Sequence, residues 1–262
     1  MPKWGFSKGE YFFSTEKRLI AKGLSSIKYM SNAVAEELYN LANSRQYGCF
    51  VDILYAINQS TSLNTRQLDI LIKLDFFSDF GNQRELLRIT EMFYNTFKAG
   101  DAKQIKKTIV DGTPLEDIVK RYAVGVTKHG GEAKSYTLLD VASILREAEA
   151  VIKAVGMDDL SDLIKVRNFY DVMGYIGYVS GNEADRRKLY IMDIKPLYRK
   201  RDNKQFGYSL FTKSIGSGKE SRFTVFNRVF DKEPVKEGDI IYCKGYERDG
   251  EYSTLTAYQK VI

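Results

Sequence analysis

The residue types with which most enzymes work are scarce in this 262-residue chain. It has one histidine, His129, in the polar stretch TKHGGEAKS, which excludes a His-rich metal site and leaves any Ser-His or Cys-His pair dependent on that one base. A histidine in a Gly-rich, charged loop reads as a solvated loop residue. Cys49 and Cys243 cannot complete the four ligands of a structural zinc with it, and they read as free thiols in a reducing compartment. No close Asp-x-Asp pair in a strand setting is available to hold magnesium around a nucleotide. Asp158-Asp159 lies in a helix-start context, where acidic residues favour the dipole. Ile215-Gly-Ser-Gly-Lys219 carries part of a phosphate-loop pattern. That pattern also needs a glycine five residues before Gly218 and Ser or Thr after the lysine, and Lys213 and Glu220 stand there. A catalytically silent chain with no metal and no cofactor is the expectation.

Anion binding is better represented. In LNTRQLDILIKLDFFSDFGNQRELLRI, residues 63–89, a helix from Asn64 to Leu74 meets a tight turn, Asp75 to Gly81, and a second helix opens at the cap residue Asn82. A hairpin that leads into a helix start gathers unpaired N–H groups at the positive end of a dipole, a setting that suits a phosphodiester. Lys73, Ser78, Gly81, Asn82, Arg84 and Arg88 surround it. The same pattern also fits an ordinary helical hairpin whose Phe76, Phe77 and Phe80 fill the gap between helices.

The elements that must position these residues change character along the chain. Up to residue 169 apolar residues recur at helical spacing: Ala33, Val34, Leu38 and Leu41; Leu68, Leu71, Ile72 and Leu74; Leu138 to Val155, behind a Thr137 cap. Thr113 and Pro114 mark another helix start. After residue 170 the period becomes two, in KLYIMDIK, QFGYSLFT, SRFTVFNRVF, DIIYCKGY and STLTAYQKVI, with YIGYVSG before them. Five or six strands in about ninety residues fit a small OB-type barrel. The net charge of +6 divides as +2 up to residue 169 and +4 after it, which serves solubility or a polyanionic partner. In the strands, Tyr190, Lys195, Tyr198, Phe211, Phe226 and Arg228 interleave rings and cations, as single-strand binding requires. Most of the aromatics are expected in the core. The loop cations Arg199, Lys200 and Arg201, with Lys213, Lys219 and Arg222, are the stronger candidates for single-stranded DNA. No apolar run reaches the length of a membrane span, and MPKWGFSKGEYFF does not form a signal peptide, so a cytoplasmic protein without membrane contact is expected.

The run from Asn64 to Leu87 resembles the second helix-hairpin-helix of the bacterial DNA polymerase III alpha subunit family, the C-family replicative polymerases. The shared features are a capped helix, Leu-Ile-Lys, paired phenylalanines, and Phe-Gly-Asn before a charged helix start. Ile20 to Lys28, followed by Ala33, Ala35 and Leu38, is similar to the Gly-Leu-x-x-Ile-Lys start of that family's first hairpin. The family also has a C-terminal OB domain, where this chain turns to strands. In two places the chain departs from the family: Tyr29 and Ser31 replace glycines of the first hairpin, and Asp75 stands where a glycine is common in the second. The family's His-rich and palm domains are absent.

The resemblance implies an α+β chain: a helix-hairpin-helix region over 1–100, a helical connector over 101–169 and an antiparallel OB-type barrel over 170–262. It implies duplex phosphates held by Lys28 and the second hairpin, single-stranded template held by the barrel, and the rest of a polymerase as partner, with magnesium confined to the missing palm domain. The second hairpin is the better conserved in pattern and is expected to carry more of the duplex binding. A rival reading is a replisome interaction module whose barrel docks another subunit. Gln67 to Leu71 is a faint match to a sliding-clamp peptide but falls inside a helix, so clamp contact lacks support.

Overall fold

The computed structural model describes residues 2–14, 19–21, 23–125, 133–174, 177, 179–250 and 252–261; His129 lies outside them. The chain divides into two compact units, Met1–Leu160 and Ser161–Ile262.

The first unit opens with an antiparallel pair, β1 (Phe12–Ser14) and β2 (Leu19–Ala21). Four helices follow: α1 (Asn32–Ser44), α2 (Phe50–Ser60), α3 (Thr65–Lys73) and α4 (Gln83–Glu91). Their starts are written in the local sequence. Ser31 Oγ accepts from the Val34 N–H, and Asn64 with Gln67 and Asn82 with Glu85 form reciprocal capping boxes. Val34 and Leu38, and Leu68, Leu71, Ile72 and Leu74, turn inward as their spacing predicts, whereas Ala33 is exposed; on α4 Leu86 and Ile89 are buried.

Beyond α4 come β3 (Gln104–Lys106), α5 (Lys107–Val110), α6 (Glu116–Arg121), β4 (Ala123–Gly125), β5 (Ser135–Leu138) and α7 (Val141–Val155). Strands β3, β5 and β4 form a small antiparallel sheet in what the periodicity reads as a helical stretch. Each strand is three or four residues long, too short for alternation to show in sequence. Thr137 therefore lies in β5, and it is Asp140 that caps α7, accepting from the Ser143 N–H at 3.0 Å.

The second unit begins with α8 (Asp162–Met173), so residue 170, the expected start of the barrel, falls inside a helix. Strands β6 (Lys188–Tyr198), β7 (Gln205–Ser214) and β8 (Glu220–Phe226), helix α9 (Asn227–Phe230), and strands β9 (Ile240–Asp249) and β10 (Tyr252–Lys260) complete it. They close a barrel in the order β10-β8-β7-β6-β9. All pairings are antiparallel except β8 with β10, so the barrel is mixed where the sequence predicts an antiparallel one. This arrangement is compatible with an OB-type fold. Ile191, Leu210, Val225, Ile241 and Leu255 fill it. Val166 of α8 packs with Tyr190, Ile215 and Ile240, and Tyr190 is buried, as most of the strand aromatics are expected to be.

The first unit depends on a carboxylate from a distant part of the chain. Glu149 of α7, 1% exposed, accepts from the N–H groups of Phe50 at 2.8 Å and Val51 at 2.7 Å, the first residues of α2. Lys153 neutralises it at 2.5 Å. Cys49, the residue before α2, offers no side-chain cap. Glu149→Ala orphans two buried donors and is expected to lower stability by about 3 kcal/mol in urea unfolding, with a smaller loss for Glu149→Gln, which keeps one acceptor.

Burial, reinforced by the negative charge of Glu149 and Asp52, pushes the Cys49 thiol from 9.0 up to about 11. In the barrel, burial first and then the Glu233 and Asp231 carboxylates push the Tyr258 phenol from 10.0 up to about 12. Both groups are neutral in the folded chain and ionise more readily when unfolded. Their contribution is complete below about pH 9 and is lost as pH climbs towards these raised values. The urea midpoint should fall from about pH 9 upward, and Cys49→Ser should flatten the early part of that fall.

Candidate nucleic-acid interface

In the α3–α4 hairpin, Lys73 ends α3 and pairs with Asp69 at 2.7 Å. The turn passes through Asp75, at φ +58°, and a short 3-10 helix, Ser78–Phe80, on which Ser78 is exposed. Gly81 takes φ +152° and ψ 175°, a region open essentially only to glycine, and a Cβ there would lie 2.9 Å from Glu85 Oε2. The paired phenylalanines belong to the core: Phe76 and Phe77 are buried against Trp4, with ring centroids at 5.9 and 5.3 Å.

The start of α4 does not present the unpaired N–H groups that its sequence suggests. Gln83 N–H donates to Asp159 Oδ1 at 3.1 Å, Asn82 N–H to Glu85 Oε2 at 3.1 Å, and Glu85 N–H to Asn82 Oδ1 at 2.9 Å. The Asn82 amide also donates to the Met157 carbonyl at 2.7 Å. A protein carboxylate thus stands where a phosphate is expected, because the 157–159 segment folds back onto the helix start. Asp79 pairs with Lys3 at 2.9 Å, and Arg88 with Glu91 at 2.8 Å. Arg84 points outward from α4 and is exposed.

The first hairpin has the opposite balance. A 3-10 turn, Leu24–Ser26, leads through Lys28 and Tyr29 to the Ser31 cap of α1. Gly23 is required there, since a Cβ would come within 2.3 Å of the Gly9 carbonyl oxygen. Tyr29 has φ +69°, so it keeps the backbone of a glycine while carrying a ring that is 50% exposed. Ser31 is extended at φ −94° and needs no glycine. The Arg66 guanidinium lies 3.8 Å from the centroid of the Tyr29 ring, and the Lys28 ammonium 5.3 Å from it. Gln67 Nε2 donates to the Tyr29 carbonyl at 2.8 Å. No local pattern marks Arg66, because its partner is 37 residues away in sequence.

On the barrel, Tyr208, Leu210, Phe223 and Val225 belong to the core, so the alternate positions of β7 and β8 face outward. Register pairs Gly207 with Phe226, Ser209 with Thr224, Phe211 with Arg222 and Lys213 with Glu220 along that face. Arg222 Nε donates to Ser209 Oγ at 2.7 Å, and its guanidinium lies 4.9 Å from the Phe211 centroid. Lys195 approaches the same ring at 5.2 Å while pairing with Asp193 at 2.9 Å, which holds the Asp193 carboxyl below its usual range.

The expected cations are therefore distributed along a strip, not gathered in one cluster. Arg199, Lys200 and Arg201 are exposed in the β6–β7 turn, and Arg199 lines a groove with Phe206, Phe226 and Arg228. Lys213 and Lys219 lie at the other end of these strands, where the Lys213–Glu220 pair is six registers, about 20 Å, from the Gly207–Phe226 pair. Lys213 pairs with Glu220 at 3.3 Å, and Lys219 is exposed. Residues Ile215–Lys219 form the connection between the two strands. The Gly216 N–H donates to the Asp185 carbonyl at 3.1 Å, and a Cβ there would strike the Arg186 nitrogen at 2.5 Å, so this glycine serves backbone packing. Gln67 to Leu71 are helical and all but Asp69 are buried, a poor setting for a partner peptide.

Among the described residues there is no group of three or more His, Cys, Asp or Glu placed to hold a metal ion, and no helix long and apolar enough to cross a membrane. Because Asp159 and Glu85 occupy the start of α4 while Lys28 and Arg66 flank the exposed Tyr29 ring, Lys28→Glu should weaken duplex binding by about tenfold at low salt in an electrophoretic shift assay. Arg84→Glu should weaken it by no more than about threefold.

No curated protein matches the chain. Residues 6–87, which span both hairpins up to the first turn of α4, match the family model described as the helix-hairpin-helix motif, and this match supports a DNA-binding helix-hairpin-helix domain in the first unit.

Proposed function

We propose that this chain is the non-catalytic DNA-binding portion of a C-family replicative DNA polymerase, of the bacterial polymerase III alpha type. The observation that carries the reading is a helix-hairpin-helix match over residues 6–87, joined in one chain to a five-stranded barrel with rings and cations along its outer face. Lys28 of the first hairpin, with Arg66 of α3 packed against its Tyr29, holds duplex phosphates without reading sequence. The second hairpin, with Lys73, Ser78, Gly81, Asn82, Arg84 and Arg88, contributes chiefly the exposed Arg84, since Asp159 already occupies its helix start. On the barrel, Arg199, Lys200, Arg201, Lys213, Lys219 and Arg222 follow the backbone of a single strand while Phe211 and Phe226 offer rings to its bases. Polymer synthesis and its magnesium belong to a palm domain outside this sequence. The chain by itself is no enzyme, takes no cofactor, and works in the cytoplasm with DNA and the rest of the polymerase as partners.

A second reading has the barrel docking another replisome subunit. It is favoured by Tyr246 and Tyr252 of the β9–β10 hairpin, 58% and 77% exposed. Fluorescence anisotropy with a duplex, a primer–template and a single strand, each over a range of salt, separates the two. In the DNA reading all three bind with a steep salt dependence, Arg222→Ala lowers single-strand affinity and leaves duplex affinity unchanged, and Lys219→Ala reduces the single-strand salt slope by about one. Absence of salt-dependent binding to any oligonucleotide overturns it in favour of subunit docking.

A further inference from the structure

The backbone of the first hairpin has the left-handed residue at which helix turns use glycine, yet the residue there is a tyrosine. A bulky side chain at φ +69° is conformationally costly, and such a residue persists only where its surroundings hold it. Here the surroundings do so from several sides. The buried Gln67 side chain closes the α3 capping box through Oε1 and ties down the Tyr29 carbonyl through Nε2 at 2.8 Å. Arg66, in the first turn of α3, lies against the ring at stacking distance, 3.8 Å. Despite this support the ring is not core: half of it is in solvent, beside the exposed Lys28. The fold therefore holds a rigid, cation-backed aromatic face outward at the tip of a hairpin whose surroundings attract phosphate.

A ring and a guanidinium plane stack on nucleobases, and every base has a π-face. An intact duplex exposes phosphates and groove edges but no base faces. Separating a base step within continuous duplex costs stacking energy and strains both backbones, whereas a terminus already presents a face and a nick, with one backbone broken, lets its step open at the cost of stacking alone. We propose that Tyr29, backed by Arg66, is a stacking head that engages the exposed face of a base pair at a duplex discontinuity, so that the first hairpin prefers nicked or terminal DNA over continuous duplex. The proposal rests on the reading of the first unit as a DNA-binding domain and adds a structural preference to it.

The test compares a closed dumbbell duplex, which has no ends, with the same dumbbell carrying one nick flanked by 2-aminopurine. Wild type should bind the nicked form about tenfold more tightly, with a change in 2-aminopurine fluorescence. Tyr29→Phe should retain both effects. Tyr29→Gly relieves the positive φ, so it should melt no lower than wild type and bind the closed dumbbell as before. It should nonetheless lose the preference and the fluorescence change. Stability and nick recognition moving in opposite directions is a signature that a merely structural ring would not produce. If wild type binds both dumbbells equally, or Tyr29→Gly keeps the preference, the stacking head is overturned while DNA binding stands. If wild type binds neither form at low salt, the DNA-binding reading falls and the stacking head with it.

Discussion

Every helix begins with N–H groups that have no partner within the helix, and much of the first unit follows from how those groups are satisfied. Two helices receive carboxylates from the region after the hairpins: Glu149 serves α2, and Asp159 serves α4. These contacts join segments some 75 to 100 residues apart in sequence, each bond tying a helix start to α7 or to the segment that follows it. They also settle where negative charge from outside is welcome. A helix start that already faces a carboxylate has little attraction left for a phosphate, whereas the first hairpin, with its Lys28 and with Arg66 of α3 beside it, retains it.

The two hairpins thus divide stability and recognition unequally. Phe76, Phe77 and Trp4 make the second one a packed corner of the unit, and its acidic residues take up the lysines nearby. The first keeps its cations near an exposed ring. Both turns use left-handed non-glycine residues, Tyr29 and Asp75, so the hairpin backbone survives the loss of the glycines that usually support it. Steric cost at such a position is tolerated because a helix cap, a buried amide and neighbouring packing fix the turn from outside.

The barrel illustrates a different constraint. Strand alternation sends Leu210, Phe223 and Val225 inward and Phe211, Arg222 and Phe226 outward, so one stretch of sequence builds both the core and the basic strip. Cations that are adjacent in the reading of the sequence, such as Arg199 and Lys213, end up at opposite ends of the same strands. In the β7–β8 connection Gly216 is required by close backbone packing against residues 182–186, and Gly218 takes φ +69°.

What was legible in sequence was local. The helices behind Asn64 and Asn82 and the strand period of the C-terminal part, which the structure begins at Lys188 instead of residue 170, rest on contacts within a few residues, which spacing records. The small β3-β5-β4 sheet was not legible, because strands of three or four residues carry too little alternation. Nor were the parallel β8–β10 pairing, the meeting of Arg66 with Tyr29, or the closure of the α4 start by Asp159. Each of these brings together residues dozens of positions apart, and a single sequence holds no periodicity that couples them. Sequence alone determined the α1, α3 and α4 helices and the strands of the barrel, and that cations and rings are concentrated in those strands. Only tertiary structure decided which hairpin is free to meet an anion, because that depends on which distant carboxylate reaches each helix start first.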